Sequence, residues 1–589
     1  MKKTTQTYIC MLPIALWFAV IPLIVKEKYL ANPLANVPWY SSESTLTDFF
    51  LYYKSLFVTV TAILMLTLLI WQISRMRRKD VLIQTETNIF IPIIVYLLLA
   101  VCSSLFSEYG YFCTRGMPDQ FETIWNLIAY VVATFYCYYL IVWQKSEKPM
   151  FFFIFFGAAL VGLICVLQYL SIDIYRLIYS GEGYTFTFAE GTVYGPFYNI
   201  NYVGYYSLLF IPLFVLLCFC YKSWRVRLIS GILAAALLVS MIGAESATAE
   251  IALVCVVAFA ITFLLLKHVK TRKVLWIPVA MIVVGIIGAC IIGIPRIQTY
   301  IQASDTEKTD LENIFTADDH VEIDYKGQKL FVQMFQSGDT VAFVLKDQNE
   351  ADVISEFTMN DSYYYYTVTD ERFDGMTLTP AILTNDPVAY GFIAQIGDKN
   401  WCFTNQMEED GTYYYYNDLG MLTKLTPETA SPDFAPLVHV SSLANGRGYI
   451  WNKTIAILKD YIFLGSGADT FALVYPNGDF VDKYNNGYDN LIITKPHNLY
   501  LQIAVQTGVL SLICFLVFYV WYFIASVRLY FRQKLDDPLT ISGFAIMLGT
   551  LGYMISGLAN DSTITISPLY WALMGIGIGI NHRIRSGQV

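Results

Sequence analysis

The stretch Thr494-Lys495-Pro496-His497-Asn498-Leu499-Tyr500-Leu501-Gln502 sets an imidazole, an ammonium and an amide directly before the apolar run 503–524. An imidazole titrates near neutral pH and serves as a general base, while a fixed cation steadies an anion. At a lipid–water boundary the two would meet a lipid-linked substrate. Some fifty residues earlier, Arg447 opens a helical pattern with apolar positions at 450, 451, 455, 457 and 458, ending near Asp460. Between them lies Gly465-Ser466-Gly467-Ala468-Asp469-Thr470-Phe471, a tight glycine turn. Taken alone, Arg447 also fits a snorkelling surface arginine, and His497 a residue at a helix start with Asn498 as N-cap.

The elements that must position these groups are membrane spans. Of 589 residues 56% are hydrophobic and 14% charged, with a mean hydropathy of +0.49, outside the range of soluble domains. Twelve apolar runs are long enough for helical spans: 8–25, 50–71, 87–106, 121–143, 150–170, 201–220, 228–243, 248–266, 274–294, 498–526, 538–559 and 566–581. The first follows Lys2 and Lys3 as a signal peptide would. It lacks a small-residue cleavage site and precedes Lys26 and Lys28, so it is read as a span. Basic residues crowd the termini and alternate short loops, as at Arg75–Lys79 and Lys222–Arg227, and are sparse in the others. The positive-inside rule then sets both termini in the cytoplasm and the long region before His497 outside. The expected fold is an all-α polytopic membrane protein with a β-rich, sandwich-like insert. Its parts are spans one to nine (1–294), the outer β insert (295–440), an outer helical part with the motif residues (441–497) and spans ten to twelve (498–589).

The insert is read from strand-like runs at 329–335, 340–345, 363–369, 390–396 and 413–416, separated by turn pairs such as Lys326-Gly327 and Gly397-Asp398. Between 301 and 440 there are 25 Asp and Glu against 7 Lys and Arg, a net of −18 in a chain whose total is −9. The acidity therefore belongs to the insert, where it keeps a domain soluble. Its tyrosine runs, Tyr363–Tyr366 and Tyr413–Tyr416, fit either sugar stacking or a sandwich core, and core filling is the favoured reading. The eleven cysteines show no metal or disulfide spacing.

The order Arg447…Trp451, Gly465-x-Gly467…Phe471 and Pro496-His497-Asn498-x-Tyr500-Leu501-Gln502…Gly508 resembles the O-antigen ligase/polymerase superfamily of bacterial membrane glycosyltransferases. The segment Glu190-Gly191-Thr192…Gly195-Pro196-Phe197-Tyr198-Asn199-Ile200-Asn201-Tyr202 looks like the family's Gly…Asn-x-Asn stretch opening a middle helix. The resemblance covers about 190–570, without the β insert. One departure is the turn 243–250, where family members often carry an arginine and this chain has Glu245 and Glu250.

The resemblance implies glycosyl transfer from a polyprenyl diphosphate-linked glycan at the outer face of the bacterial cytoplasmic membrane. His497 would be the base and Arg447 the diphosphate clamp. Lys495, Arg176 and Arg296 are the other candidate cations, and Asn199, Asn201 and Asn498 the polar positioning groups. No metal and no cofactor is expected; the lipid-linked glycan is the donor substrate. The acceptor would be a glycan, lipid, cell-wall polymer or protein, with membrane lipids around and no nucleic acid involved. Polymerase and ligase share these motifs. The runner-up is a transporter or flippase for the same glycans, against which stands the placement of every Lys and Arg in a loop or at a helix end.

Overall fold

An apolar run in a bilayer must satisfy its own backbone, and a helix does so within one segment. The computed structural model describes residues 3–77, 88–144, 148–179, 188–268, 310–337, 340–359, 363–373, 375–385, 388–406, 411–441, 443, 446–489 and 491–587. Before the β region come α1 (Lys3–Ala19), α2 (Tyr52–Arg77), α3 (Ile91–Leu105), α4 (Gly110–Arg115), α5 (Ile124–Gln144), α6 (Lys148–Tyr169), α7 (Ile174–Tyr179), α8 (Ile200–Cys220), α9 (Trp224–Gly243) and α10 (Ala247–His268). After it come α11 (Arg447–Ile457), α12 (Phe471–Val474), α13 (Phe480–Asn485), α14 (Leu499–Thr507), α15 (Val509–Arg532), α16 (Pro538–Ser556) and α17 (Ser567–Arg585).

Among the described residues nine helices are long and apolar enough to cross a membrane: α2, α3, α5, α6, α8, α9, α10, α15 and α16. Three of the twelve expected spans are not among them. Run 8–25 gives a shorter apolar helix, Tyr8–Leu23, and run 274–294 lies outside the described residues. Run 566–581 becomes α17, whose last turn carries His582, Arg583 and Arg585. This glycine-rich helix is almost wholly buried and packs along α5. A Cβ on Gly575 would sit 2.2 Å from the Thr134 carbonyl oxygen, so the two backbones meet because no side chain intervenes.

The expected span 498–526 needs correction. It breaks at Gly508, whose φ of +101° lies where other residues are strained. The buried helix α14 precedes the break, and the spanning helix α15 begins after it.

Two antiparallel sheets form the β region. Strands β1 (Leu311–Thr316), β2 (Val321–Tyr325), β3 (Gln328–Ser337) and β4 (Thr340–Asp347) make a four-stranded meander. Seven further strands, from Ser355–Met359 to Leu422–Thr423, make a second meander in chain order. Lys326 and Gly327, both at positive φ, form the two-residue turn between β2 and β3. Side chains from both sheets share one core, which Phe480 and Val481 of α13 join. Tyr413 and Tyr415 are buried there, as the core reading requires, while Tyr363 is exposed.

Candidate active site

Asn498 caps α14: its side-chain oxygen accepts the Tyr500 and Leu501 N–H groups, each at 3.0 Å. His497, one residue earlier, takes a φ of +50°, a left-handed conformation that costs about 1–2 kcal/mol. Its Nδ1 lies 3.0 Å from Oδ2 of Asp561, in the turn between α16 and α17. The other carboxylate oxygen accepts the Asn498 N–H at 3.2 Å. Asp561 thus engages two consecutive residues, and Asn498 Nδ2 reaches back to the Leu558 carbonyl at 2.8 Å. The carboxylate is 2% exposed and the imidazole 38%, so a buried anion orients an open ring.

Donors and cations surround that carboxylate. Burial pushes the Asp561 carboxyl up, but His497, Lys495 and Arg447 outweigh it and hold the carboxyl below its usual range. Lys495 is buried and donates to the Tyr202 hydroxyl at 3.0 Å. Burial opposes its charge, yet Tyr202, Asp561 and Asp119 more than offset this and raise its pKa. Arg447, at the first position of α11, donates to the Ala559 carbonyl beside Asn560 and Asp561. In the next turn of α11, Trp451 Nε1 donates to the Pro496 carbonyl at 2.9 Å, fixing α11 against the histidine motif.

The Asn-x-Asn segment joins the same cluster. Asn199 caps α8 by accepting the Asn201 N–H at 2.8 Å. The Asn201 side chain accepts the Ser246 hydroxyl at 2.9 Å, and Thr248 accepts from Asn560 Nδ2 at 2.8 Å. The turn 243–250 therefore brings hydroxyls to the site. With Tyr202 on Lys495, the contacts close into a ring: α8, the 243–250 turn, Asn560-Asp561, His497, Lys495 and back to α8.

Two expected cations are not in it. Arg176 pairs locally with Asp173 at 3.7 Å and Glu190 at 4.0 Å, and donates to the Phe188 carbonyl. Arg296 lies outside the described residues. The buried face of α11 is also not the apolar stripe expected, because it includes Asn452, Lys453 and Thr454 beside Tyr449 and Ile450. Lys453 bridges Asp433 at 2.7 Å and Asp482 at 2.8 Å, so ion pairs anchor that face.

The glycine turn has a packing role. A Cβ on Gly465 would lie 2.2 Å from the Gln506 carbonyl carbon, and Gly467 takes a φ of +113°. Ser466 and Gly467 N–H groups donate to the Val505 and Gln506 carbonyls at 2.8 and 2.9 Å. The turn is thereby locked to the end of α14.

Glu122, whose carboxyl accepts the Ser562 hydroxyl next to Asp561, is the residue that sequence reasoning passed over. The sequence already marks Asn560-Asp561, at the outer end of the eleventh run, as a pair that could line the cavity. The polar pair Asn560-Asp561 between two apolar runs also fits an ordinary helix-ending turn. Glu122 stands at the head of the apolar run 121–143, the one available signal for it. Among the described residues no three His, Cys, Asp or Glu side chains gather as a metal site would require.

Residues 412–516 match the family model described as O-antigen ligase. The resemblance to the O-antigen ligase/polymerase superfamily is thereby shown, through a stretch that starts within the β region and holds α11, the glycine turn, Lys495, His497 and all of α14. Three site elements lie outside the O-antigen ligase match: the Asn-x-Asn segment, the 243–250 turn and Asp561. Contacts in the folded chain bring them to it. No curated protein matches the chain.

Proposed function

We infer that this chain is a membrane glycosyltransferase that moves a glycan from a polyprenyl diphosphate-linked donor to an acceptor hydroxyl, on the outer face of the bacterial cytoplasmic membrane. The observation that carries the reading is the His497–Asp561 pair beside Lys495 and Arg447, formed around the segment that matches the O-antigen ligase family.

The acceptor O–H proton passes to Nε2 of His497 as the acceptor oxygen bonds the anomeric carbon. The bond from that carbon to the diphosphate oxygen breaks, and the diphosphate leaves with the electron pair. Asp561 fixes which imidazole nitrogen faces the acceptor, as a carboxylate behind a histidine base does. Arg447 and Lys495 meet the charge growing on the diphosphate, a stabilisation worth about 2.7–4 kcal/mol per well-placed donor. Polymerisation and ligation follow from the same step and differ in the acceptor: another lipid-linked glycan, or a lipid, cell-wall polymer or protein.

The test is release of polyprenyl diphosphate from a labelled lipid-linked glycan by the purified, reconstituted protein. Release by wild type and its loss in His497→Ala support the reading. A wild type that releases nothing from a competent donor with candidate acceptors overturns it.

A further inference from the structure

The turn that carries Asp561 has no regular secondary structure, so neighbouring elements must hold it. Asn560 is tied to Thr248 and to Ser556, at 2.8 and 3.0 Å. Ser562, next to the carboxylate, is held from two other elements. Its N–H donates to Gln502 Oε1 on α14 at 2.7 Å, and its hydroxyl to Glu122 Oε1, just before α5, also at 2.7 Å. The Ser562 hydroxyl also lies 2.8 Å from that of Ser567. Glu122 Oε1 takes the Tyr130 hydroxyl at 2.7 Å, and Oε2 faces Gln502 Nε2 at 3.5 Å. Glu122 and Gln502 are 4% and 1% exposed.

The carboxyl of Glu122 accepts every hydrogen bond drawn to it, from two hydroxyls and one amide NH2. An ionised carboxylate accepts all three at once, whereas a carboxylic acid or an amide must set its own donor against the Gln502 NH2 or make a hydroxyl turn and accept. Gln502 cannot reverse its amide to relieve that, because its oxygen is committed to the Ser562 N–H. We propose that ionised Glu122 is a positioning residue that holds the Ser562 turn and thereby sets Asp561 against His497. The inference rests on the transferase reading for its kinetic consequence.

The titratable and charged groups around Glu122 are Tyr130 of α5, Tyr96 of α3, Tyr553 of α16, Asp561 of the turn, Lys495 before α14 and Asp469 of the glycine turn. Burial pushes Glu122 up to about 7, against the lowering pull of Ser562, Tyr130 and Lys495. The holding carboxylate therefore forms within the neutral range.

The experiment measures kcat and KM for polyprenyl diphosphate release across that range in wild type, Glu122→Gln and Ser562→Ala. Wild-type kcat should rise through about 7, where Glu122 ionises. Above that, both variants should lose about 10- to 100-fold in kcat with KM little changed, the scale of a misplaced catalytic group. Each should also lose one ionisation from the acid limb while its unfolding temperature holds. Ser562→Ala keeps the Glu122 charge, so its loss separates positioning from a purely electrostatic effect. An unchanged kcat and pH profile, or a loss that only tracks unfolded protein, overturns the inference. If wild type releases nothing, the transferase reading falls and amide exchange in the 557–566 turn still decides the positioning. Both variants should speed that exchange several-fold while exchange at the start of α8 stays constant; unchanged exchange overturns it.

Discussion

Lys495 Nζ donates to the Tyr202 hydroxyl at 3.0 Å, and that bond joins the histidine motif to the first turn of the Asn-x-Asn helix. Two stretches that carry the family resemblance, 293 residues apart in the chain, meet through one buried ammonium. Removing the Tyr202 hydroxyl deprives the ammonium of one neutral partner, worth about 0.5–1.5 kcal/mol. Tyr202→Phe should therefore slow polyprenyl diphosphate release by about 2- to 10-fold. Lys495→Met removes the charge itself and should slow it by about 10²-fold or more. Steady-state kinetics at saturating donor check both; equal effects would show that Lys495 acts only through Tyr202.

The two arginines give a sharper contrast. Arg447 reaches the Ala559 carbonyl at the edge of the Asp561 turn, while Arg176 is held by Asp173 and Glu190. Arg447→Ala should lower turnover by about 10²–10³-fold, as loss of a donor to a developing anion does. Arg447→Lys should recover little of it, because an ammonium lacks the bidentate fork. Arg176→Ala should stay within about threefold, the scale of an exposed ion pair. Side-by-side release assays of the three variants check this, and a large loss in Arg176→Ala would place a cation in the site that the contacts do not.

The histidine motif, the Asn498 cap, the nine helices long and apolar enough to span among the described residues and the β character of the insert were all legible, because each is written in local sequence. Asn560-Asp561 was legible only as a pair that could line the cavity; its pairing with His497 was not, since the two lie 64 residues apart and a lone Asn-Asp pair between apolar runs carries no period. The break in the tenth span escaped for a different reason. Apolar residues continue from Ile503 past Gly508 to Ile524, so hydropathy runs on where the backbone turns. The acceptance of hydroxyls from the 243–250 turn was also out of reach, because serine and threonine there read as ordinary turn residues.

Gly465 tests the packing role of the glycine turn. Its absent Cβ would overlap the Gln506 backbone at 2.2 Å, and neither segment can move without disturbing α14. Gly465→Ala should destabilise the protein by about 1–3 kcal/mol, the usual cost of overpacking. Thermal unfolding in detergent would show it, and an unchanged midpoint would mean that the turn yields easily.

Asp469 predicts a pH-dependent stability. Burial pushes its carboxyl up to about 8, with the Met117 N–H donating to it at 2.7 Å. The folded chain therefore keeps a proton that the unfolded chain has lost, from the ordinary value of 3.8 up to about 8. With more protons bound when folded, stability falls as pH rises through that window. Asp469→Asn cannot titrate, so its unfolding temperature relative to wild type should climb from acid to mildly alkaline pH. A constant difference across that range would show that Asp469 is ionised throughout.

The central claim is that His497 and Asp561 act as one unit in glycan transfer. Rates of polyprenyl diphosphate release from wild type, His497→Ala, Asp561→Ala and the double variant test it directly. Each single change should cost about 10²–10⁴-fold, and the double variant should be no slower than His497→Ala, since a broken pair cannot be broken twice. Costs that multiply in the double variant, or a His497→Ala protein as fast as wild type, would contradict the account.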